Sequence, residues 1–163
     1  MPLMTILVPY DGTAQDDDAL RLACDAVRGT GGRVVVLAVT PVPSSLPLRA
    51  LPVEFDAAAD EALDRAEDVA RLQGIPIEGR LMRARDVAEA IVAEAREIGA
   101  DAIYMALCHH RHPWGKRQLS RTGRAVVRHA PCRVVLDSSR EASAQDAAAV
   151  LSLEIYRAVR HAQ

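Results

Sequence analysis

The chain has 163 residues, of which 50% are hydrophobic and 26% are charged, and its formal net charge is −2. This composition is typical of one globular unit and excludes a disordered chain and a membrane bundle, because no apolar run approaches the ~20 residues of a membrane span. The start of the chain lacks the basic and apolar regions of a signal peptide, and the 3 cysteines are widely spaced. We therefore expect a cytoplasmic protein with reduced thiols and no contact with a membrane.

The first part of the chain predicts a strand, a helix and a second strand. Residues 5–10 are a short apolar run that Asp11 and Gly12 close, which is typical of a buried strand ending in a turn. Thr13 is placed to cap the helix that follows, and the aspartates at its start suit the positive end of its dipole. Residues 34–39 are almost continuously apolar, as in a strand buried on both faces of a parallel sheet.

The middle of the chain continues this alternation. Residues 53–73 are rich in helix-forming residues and predict a second helix, while residues 75–83 alternate as a strand does, with Pro76 indicating an edge of the sheet. Asp86 is placed to cap a third helix, and the apolar residues 102–107 predict the fourth strand. Strands that alternate with helices indicate a doubly wound α/β fold.

The last third of the chain predicts one more helix and strand, followed by an appendage. A helix around residues 119–128 leads into a fifth strand at residues 134–136. After a polar hinge, apolar residues return at helical spacing over residues 144–162. We therefore expect a domain over residues 1–137 and a hinge with an extra C-terminal helix over residues 138–163.

Basic residues are concentrated around the fourth and fifth strands. Residues 102–136 hold 7 of the 20 Lys and Arg and none of the 22 Asp and Glu, so this stretch has a formal charge of +7 and the rest of the chain −9. Such asymmetry indicates an anion-binding face on an otherwise acidic protein. Cationic side chains suit phosphate oxygens, and the candidate ligands are Arg111, Lys116, Arg117, Arg121 and Arg124.

Two stretches together resemble the universal stress protein family: residues 6–13, which read Ile-Leu-Val-Pro-Tyr-Asp-Gly-Thr, and residues 128–136, which read Arg-His-Ala-Pro-Cys-Arg-Val-Val-Leu. The resemblance covers about residues 3–137. It implies a five-stranded parallel sheet in the order 3-2-1-4-5 with helices on both faces. It also implies a homodimer, which we expect to form by pairing of the outer strands at residues 133–137, with the C-terminal helix extending the contact.

Many members of this family bind ATP through an aspartate after the first strand, main chain after the second and a glycine loop after the fourth. Asp11 and Val39 match the first two elements, and Asp11 either hydrogen-bonds a ribose or adenine edge or only caps the turn into the first helix. The loop departs from the family pattern, and a Cβ or an imidazole there obstructs the close approach of main-chain N–H groups to phosphate. The residues near the required glycine and hydroxyl positions are Ala106, His109 or His110, Ser120 and Arg121.

Other classes of site find less support in the sequence. Cys108 and the histidines of residues 109–112 are the densest group of metal ligands, but no partner cluster accompanies them and a solvated loop explains them better. An isoelectric point near 6.2 and 3% aromatic residues argue against binding of nucleic acid. We find no nucleophile elbow, no phosphate loop of the NTPase type and no clear acid–base pair, so we expect neither a metal nor an enzyme.

These observations favour a non-catalytic, stress-linked signalling or interaction module with a degenerate ATP loop and no cofactor, acting through a second copy and a protein partner. The alternative is a sensor of ATP, AMP or another anion, with a phosphate site built from side chains. An intact Asp11 favours the sensor, whereas the lost glycines favour the interaction module.

Overall fold

The structure, a computed structural model, describes residues 4–48, 53–107, 109–111, 117–138 and 154–156. The described strands are β1 (Thr5–Pro9), β2 (Arg33–Pro41), β3 (Ile77–Ala84), β4 (Ala102–Ala106), β5 (His109–Arg111), β6 (Arg117–Leu119), β7 (Arg133–Asp137) and β8 (Glu154–Tyr156). The described helices are α1 (Ala14–Val27), α2 (Ala57–Gln73), α3 (Val87–Glu97) and α4 (Arg121–His129), and a 3₁₀ turn at Val53–Asp56 precedes α2.

One sheet carries the strands β3-β2-β1-β4-β7-β8 in that order. The strands from β3 to β7 run parallel, and β8 runs antiparallel to β7. With β7 as the fifth strand of the predicted fold, the order 3-2-1-4-5 is confirmed. β3 lies at an edge of the sheet, as Pro76 predicted.

Helices cover both faces of the sheet, and β1 shows how its side chains are shared between them. Ile6 and Val8 pack in a core cluster with residues of α1 and α2, such as Leu20 and Ala66. Leu7 points to the opposite face and packs with residues of α3 and α4. All three side chains from β1 are fully buried, and for this reason the strand reads as a continuous apolar run.

Short polar side chains begin three of the helices. Thr13, Asp86 and Ser120 each accept a hydrogen bond from the main-chain N–H three residues further on, at 3.1, 3.0 and 3.0 Å. These bonds satisfy N–H groups that have no partner within the helix, and they confirm the predicted caps at Thr13 and Asp86. None of the described helices is both long and apolar enough to span a membrane.

The C-terminal part of the chain differs from the prediction. The spacing of residues 144–162 predicts a helix, but Glu154–Tyr156 is a strand that pairs with β7. The outer side of β7 offers main-chain hydrogen bonds to any extended segment, and Ile155 and Tyr156 favour a strand. The helix prediction is wrong at β8, and its other residues lie outside the described part of the chain. The edge on which the predicted dimer depends is thus paired within the chain.

The basic segment after β4 contains a hairpin. β5 and β6 pair antiparallel, with Arg111 opposite Arg117 in the register. Leu119 belongs to β6, and α4 therefore begins after Ser120 instead of at Leu119.

Candidate functional site

A cavity of about 280 Å³ opens where β1, β2 and β4 end. This is the carboxyl edge of the parallel strands, where an open α/β sheet binds its ligand. The apolar part of the wall comes from β2, α3 and β4 and includes Leu37, Val39, Val87, Ile91 and Met105. The polar lining residues follow β1 or begin α4, and they are Asp11, Asp16, Ser120 and Thr122.

The turn between β1 and α1 is held by Asp16 and not by Asp11. The Asp16 carboxylate accepts hydrogen bonds from the N–H groups of Asp11 and Thr13, both at 3.1 Å, and from the Thr13 hydroxyl at 2.7 Å. Gly12, with a φ of 83°, supplies the left-handed residue that this turn requires. The Asp11 carboxylate has no hydrogen bond or ion pair within the described part of the chain. The Asp11 side chain therefore does not cap the turn into α1, and another role must explain its position.

The surroundings of Asp11 disfavour its charge. Desolvation around the cavity raises the pKa of the Asp11 carboxyl, and the neighbouring Asp16 carboxylate raises it further. Asp11 as a whole is nevertheless exposed, so that a ligand entering the mouth of the cavity reaches it. A carboxyl group kept without a partner beside a second carboxylate is typical of a functional position.

The main chain of Val39 also faces the cavity. The pairing of β1 with β2 ends with Pro9 opposite Leu37, and the Tyr10 N–H donates to the Leu37 carbonyl oxygen at 3.0 Å. Main-chain groups of a strand alternate in direction, so Val39 turns its N–H and C=O to the same side as the Leu37 carbonyl. These groups lie beyond the end of β1 and point toward the cavity instead of toward a neighbouring strand.

The start of α4 contributes part of the wall of the cavity. The Ser120 hydroxyl caps this helix, and Thr122 lies in its first turn. A Cβ at Gly123 would lie 3.0 Å from Leu119 Cγ and 3.2 Å from Ser120 Oγ, so this glycine allows close packing at the helix start. Ala106 lines the cavity at the end of β4, and its methyl group occupies a position where the resemblance requires glycine.

Among the predicted phosphate ligands, the structure describes the side chains of Arg121 and Arg124. Arg121 and Arg124 are exposed and are not among the residues described as lining the cavity. Arg111 and Arg117 face each other across the hairpin, but their side chains lie outside the described part, as does the whole of Lys116. The described lining holds two carboxylates and neither Lys nor Arg.

Metal ligands and reactive thiols do not gather at the cavity. Among the residues that the structure describes, no group of three His, Cys, Asp or Glu side chains is arranged to hold a metal ion. The candidate ligands in residues 108–112 lie outside the described side chains. Cys24 is buried and Cys132 half-buried, and burial raises the pKa of each thiol to about 11. Both thiols are therefore protonated near neutral pH and pack as small apolar side chains.

Sequence reasoning missed a hydrogen-bond network beside the cavity, in which Tyr10 and Asp17 are buried and Arg65 is exposed. The Tyr10 hydroxyl donates to the Asp17 carboxylate, which also accepts from Arg65 Nε at 3.0 Å and Nη2 at 2.6 Å. Burial alone would raise the pKa of Asp17, but the hydrogen bonds from Arg65 and Tyr10 outweigh burial and lower it. Helical spacing could have revealed this role, since Asp17 lies on the same face of α1 as Leu20 and Cys24.

Known proteins share both the sequence pattern and the fold of this chain. The sequence model of the Universal stress protein family matches residues 2–137. The universal stress protein from Archaeoglobus fulgidus is 24% identical with a TM-score of 0.69, and the match covers 83% of this chain and 98% of that chain. A universal stress protein from Archaeoglobus fulgidus in complex with dAMP is 24% identical with a TM-score of 0.66, and the match covers 83% of this chain and 98% of that chain. A universal stress protein in complex with cAMP is 21% identical with a TM-score of 0.67, covering 84% and 98%.

Among curated protein sequences, none matches this chain significantly. The family match nevertheless spans most of the chain, and it includes both stretches on which the resemblance rests. The order of the parallel strands agrees with it. The chain therefore belongs to the universal stress protein family.

Proposed function

We propose that this protein is a non-catalytic, cytoplasmic signalling module that binds a nucleoside monophosphate at the carboxyl edge of its sheet. The observation that carries the proposal is the Asp11 carboxylate, which lines the cavity, lacks a partner in the described chain and is relieved of the capping role by Asp16. Two similar structures are complexes with the monophosphates cAMP and dAMP.

The base and the sugar have complementary groups in the cavity. An ionised Asp11 accepts hydrogen bonds from donors such as ribose hydroxyls or a base amino group. The main-chain groups of Val39 offer one donor and one acceptor to the base edge, while Leu37, Ile91 and Met105 supply an apolar surface for its faces. Pockets for small molecules combine apolar walls with a few polar groups in this way.

A single phosphate suits the described lining better than a triphosphate. The described lining contains two acidic side chains, Asp11 and Asp16, and no Lys or Arg that would attract a polyphosphate. The Ala106 methyl group further hinders the approach of main-chain N–H groups to phosphate. The hydroxyl of Thr122 and the main chain at the start of α4 remain as donors for one phosphate group.

A second candidate function is that of an interaction module that binds no nucleotide. The side chains that replace the loop glycines favour it, and the basic residues at positions 111–124 would then meet an acidic protein partner. A phosphate site built from these same basic side chains stays a prediction.

Calorimetric titration of the full chain with AMP, ATP and inorganic phosphate at matched ionic strength tests the proposal. AMP is expected to bind at one site and more tightly than ATP. Asp11→Asn is expected to weaken the affinity for AMP at least about tenfold, because a hydrogen bond to a charged group contributes about 1.5–3 kcal/mol. Asp25→Asn is a matched control, since Asp25 is exposed and forms an exposed ion pair with Arg28.

Two results would contradict the proposal. If millimolar AMP gives no binding heat and no thermal stabilisation, the protein does not bind AMP, and the second candidate function, that of an interaction module, is favoured instead. If Asp11→Asn binds AMP as tightly as Asp25→Asn does, the nucleotide lies elsewhere on the molecule.

A further inference from the structure

The outward side of α4 is a stripe of three arginines, Arg121, Arg124 and Arg128, which recur three and four positions apart. The buried residues Gly123 and Val126 lie on the opposite side of the helix. All three arginines are exposed, and none forms an ion pair within the described part of the chain. We call this stripe the arginine face of α4.

The arginine face does not stabilise its own helix. Like charges three or four positions apart on a helix repel each other. Arg121 and Arg124 lie at the start of α4, where the dipole is positive and favours acidic residues, and the first turn contains none. Of the three arginines, Arg128 alone lies in the last turn, which suits its charge. Exposed positive charge at the unfavourable end of a helix indicates a contact with an acidic partner.

The outward side of α2 carries the opposite charge. Asp60, Asp64 and Glu67 are exposed and recur four and three positions apart, and we call them the acidic face of α2. None of these carboxylates has an ion pair among the residues that the structure describes. The two arginines of α2 pair with other aspartates. The acidic face is therefore also available to a partner.

The two faces match in length and in spacing. Each extends over seven helical positions, which is about 10 Å along the helix axis. If α4 and α2 lie antiparallel, the order of the spacings agrees, and the opposite pairs are Arg121 with Glu67, Arg124 with Asp64 and Arg128 with Asp60. The antiparallel arrangement also sets each helix dipole against the opposite end of the other. The two faces are thus complementary in charge, spacing and direction.

α2 and α4 cannot meet within one chain, because they lie on opposite faces of the sheet. Ala66 of α2 packs in the core cluster that contains Ile6 and Val8. Val126 of α4 packs in the other cluster, with Leu7. The arginine face of one copy can therefore reach only the acidic face of another copy.

We propose that the arginine face of α4 docks on the acidic face of α2 of a second copy, so that this chain self-associates head to tail. The contact joins two different surfaces, so a pair of copies keeps one free arginine face and one free acidic face, to which further copies add. The assemblies therefore grow with concentration into rings or open chains and do not stop at a dimer. This proposal does not depend on the nucleotide site.

Sedimentation velocity of the full chain over a concentration series tests the self-association. The contact is made by exposed charges, and the screening length falls from about 30 Å at 0.01 M salt to about 10 Å at 0.1 M. The dissociation constant is expected to weaken at least about tenfold between these two salt concentrations. A monomer at every concentration up to millimolar in low salt, or an association that salt leaves unchanged, would overturn the proposal.

Charge reversal on α4 tests which surface is used. Arg124→Glu together with Arg128→Glu makes both faces acidic and is expected to weaken the association at least about tenfold in low salt. Arg28→Glu together with Arg33→Glu is the matched control, because it makes the same change in net charge at exposed positions outside both faces. The control is expected to keep the dissociation constant within about threefold. Equal weakening in the two double variants would show that net charge, and not the arginine face, controls association.

Exchange of charge between the two helices tests the pairing itself. Adding Asp60→Arg and Asp64→Arg to the α4 double variant restores the original net charge and sets opposite charges against each other in reversed order. This fourfold variant is expected to recover most of the association, and thermal unfolding checks that it keeps the fold. A folded fourfold variant that stays monomeric would overturn the pairing of α4 with α2.

A milder variant tests the acidic face without any reversal of charge. Asp60→Asn together with Asp64→Asn removes two exposed ion pairs from the contact and is expected to weaken the association about 2- to 30-fold. A dissociation constant equal to that of the unsubstituted chain would show that the acidic face of α2 takes no part.

Discussion

At the residue scale, the two aspartates Asp11 and Asp16 have different roles although they lie five positions apart at one turn. Asp16 holds the turn through three hydrogen bonds, whereas the Asp11 carboxyl has a raised pKa and no partner in the described chain. The raised pKa means that ionised Asp11 opposes folding, so this residue lowers stability at neutral pH. A residue kept at a cost in stability is best explained by a ligand.

We predict that Asp11→Asn raises the thermal unfolding midpoint of the ligand-free protein while it weakens AMP binding. Asparagine keeps the shape of the side chain but removes the repulsion from Asp16. Differential scanning calorimetry with and without AMP measures both effects. A lower midpoint for Asp11→Asn would mean that Asp11 serves the fold, contrary to this account.

The same carboxyl predicts a pH dependence of binding. Since the pKa of Asp11 is raised, the group takes up a proton at a higher pH than an ordinary aspartate and then no longer accepts two donors. Affinity for adenosine, which has no phosphate to titrate, is expected to fall as the pH is lowered through this raised pKa. Asp11→Asn should show a flat profile over the same range.

The Asp17 network predicts acid-sensitive stability. The pKa of Asp17 is lowered in the folded state, so its contribution is present above the unfolded value of about 3.9 and is lost as the pH falls toward the lower folded value. Asp17→Asn is expected to cost about 1–3 kcal/mol of unfolding free energy at pH 7. Urea unfolding should show that the difference in unfolding free energy between the two chains shrinks below about pH 4. A difference that stays constant with pH would mean that Asp17 contributes through packing and not through its charge.

At the element scale, α4 brings its first turn to the cavity through the Ser120 cap. We predict that Ser120→Ala lowers the unfolding free energy by about 1 kcal/mol, because the Gly123 N–H loses its partner. Ser120→Asp keeps a cap but adds a carboxylate beside the proposed phosphate. It should therefore retain stability in urea unfolding and lose AMP binding in calorimetry. If Ser120→Asp binds AMP as tightly as the unsubstituted chain does, the phosphate does not bind at this end of α4.

Arg121 and Arg124 lie on the same helix but are exposed and do not belong to the described lining of the cavity, although Arg121 lies between the lining residues Ser120 and Thr122. We predict that Arg121→Ala together with Arg124→Ala weakens AMP binding by no more than about 30-fold, because exposed charge pairs contribute about 0.2–1 kcal/mol each and are screened by salt. Titrations at low and high salt measure this effect. A complete loss of AMP binding in the double variant would show that these arginines contact the phosphate directly.

The elements that could be predicted are those whose burial leaves a pattern in the chain. β1 and β2 are buried on both faces, and their sequences are therefore apolar runs. The capping residues Thr13 and Asp86 likewise predict where α1 and α3 begin. The strand at 154–156 could not be predicted, because its conformation depends on the edge of β7 and not on its own spacing. The strand order likewise came from the family resemblance, since pairing of distant strands leaves no local signal.

At the scale of the whole molecule, the site was partly predictable for a similar reason. Asp11 and Val39 could be placed at the carboxyl edge because each follows a recognisable strand. The separate roles of Asp16 and Asp17 depend on hydrogen bonds to the turn and to Arg65, which three consecutive aspartates do not reveal. Ser120 and Thr122 reach the cavity only through the position of α4 against the ends of the strands.

The central claim is that a nucleoside monophosphate binds between the ends of β1 and β2 and the start of α4. Amide chemical-shift mapping of the ¹⁵N-labelled full chain during titration with AMP tests it most directly. The account predicts saturable shifts centred on the amides of Asp11, Val39 and Thr122, with none at the opposite, amino edge of the sheet, where Gly99 and Asp101 precede β4. Shifts confined to the basic segment at residues 109–117, or no shifts at millimolar AMP, would contradict it.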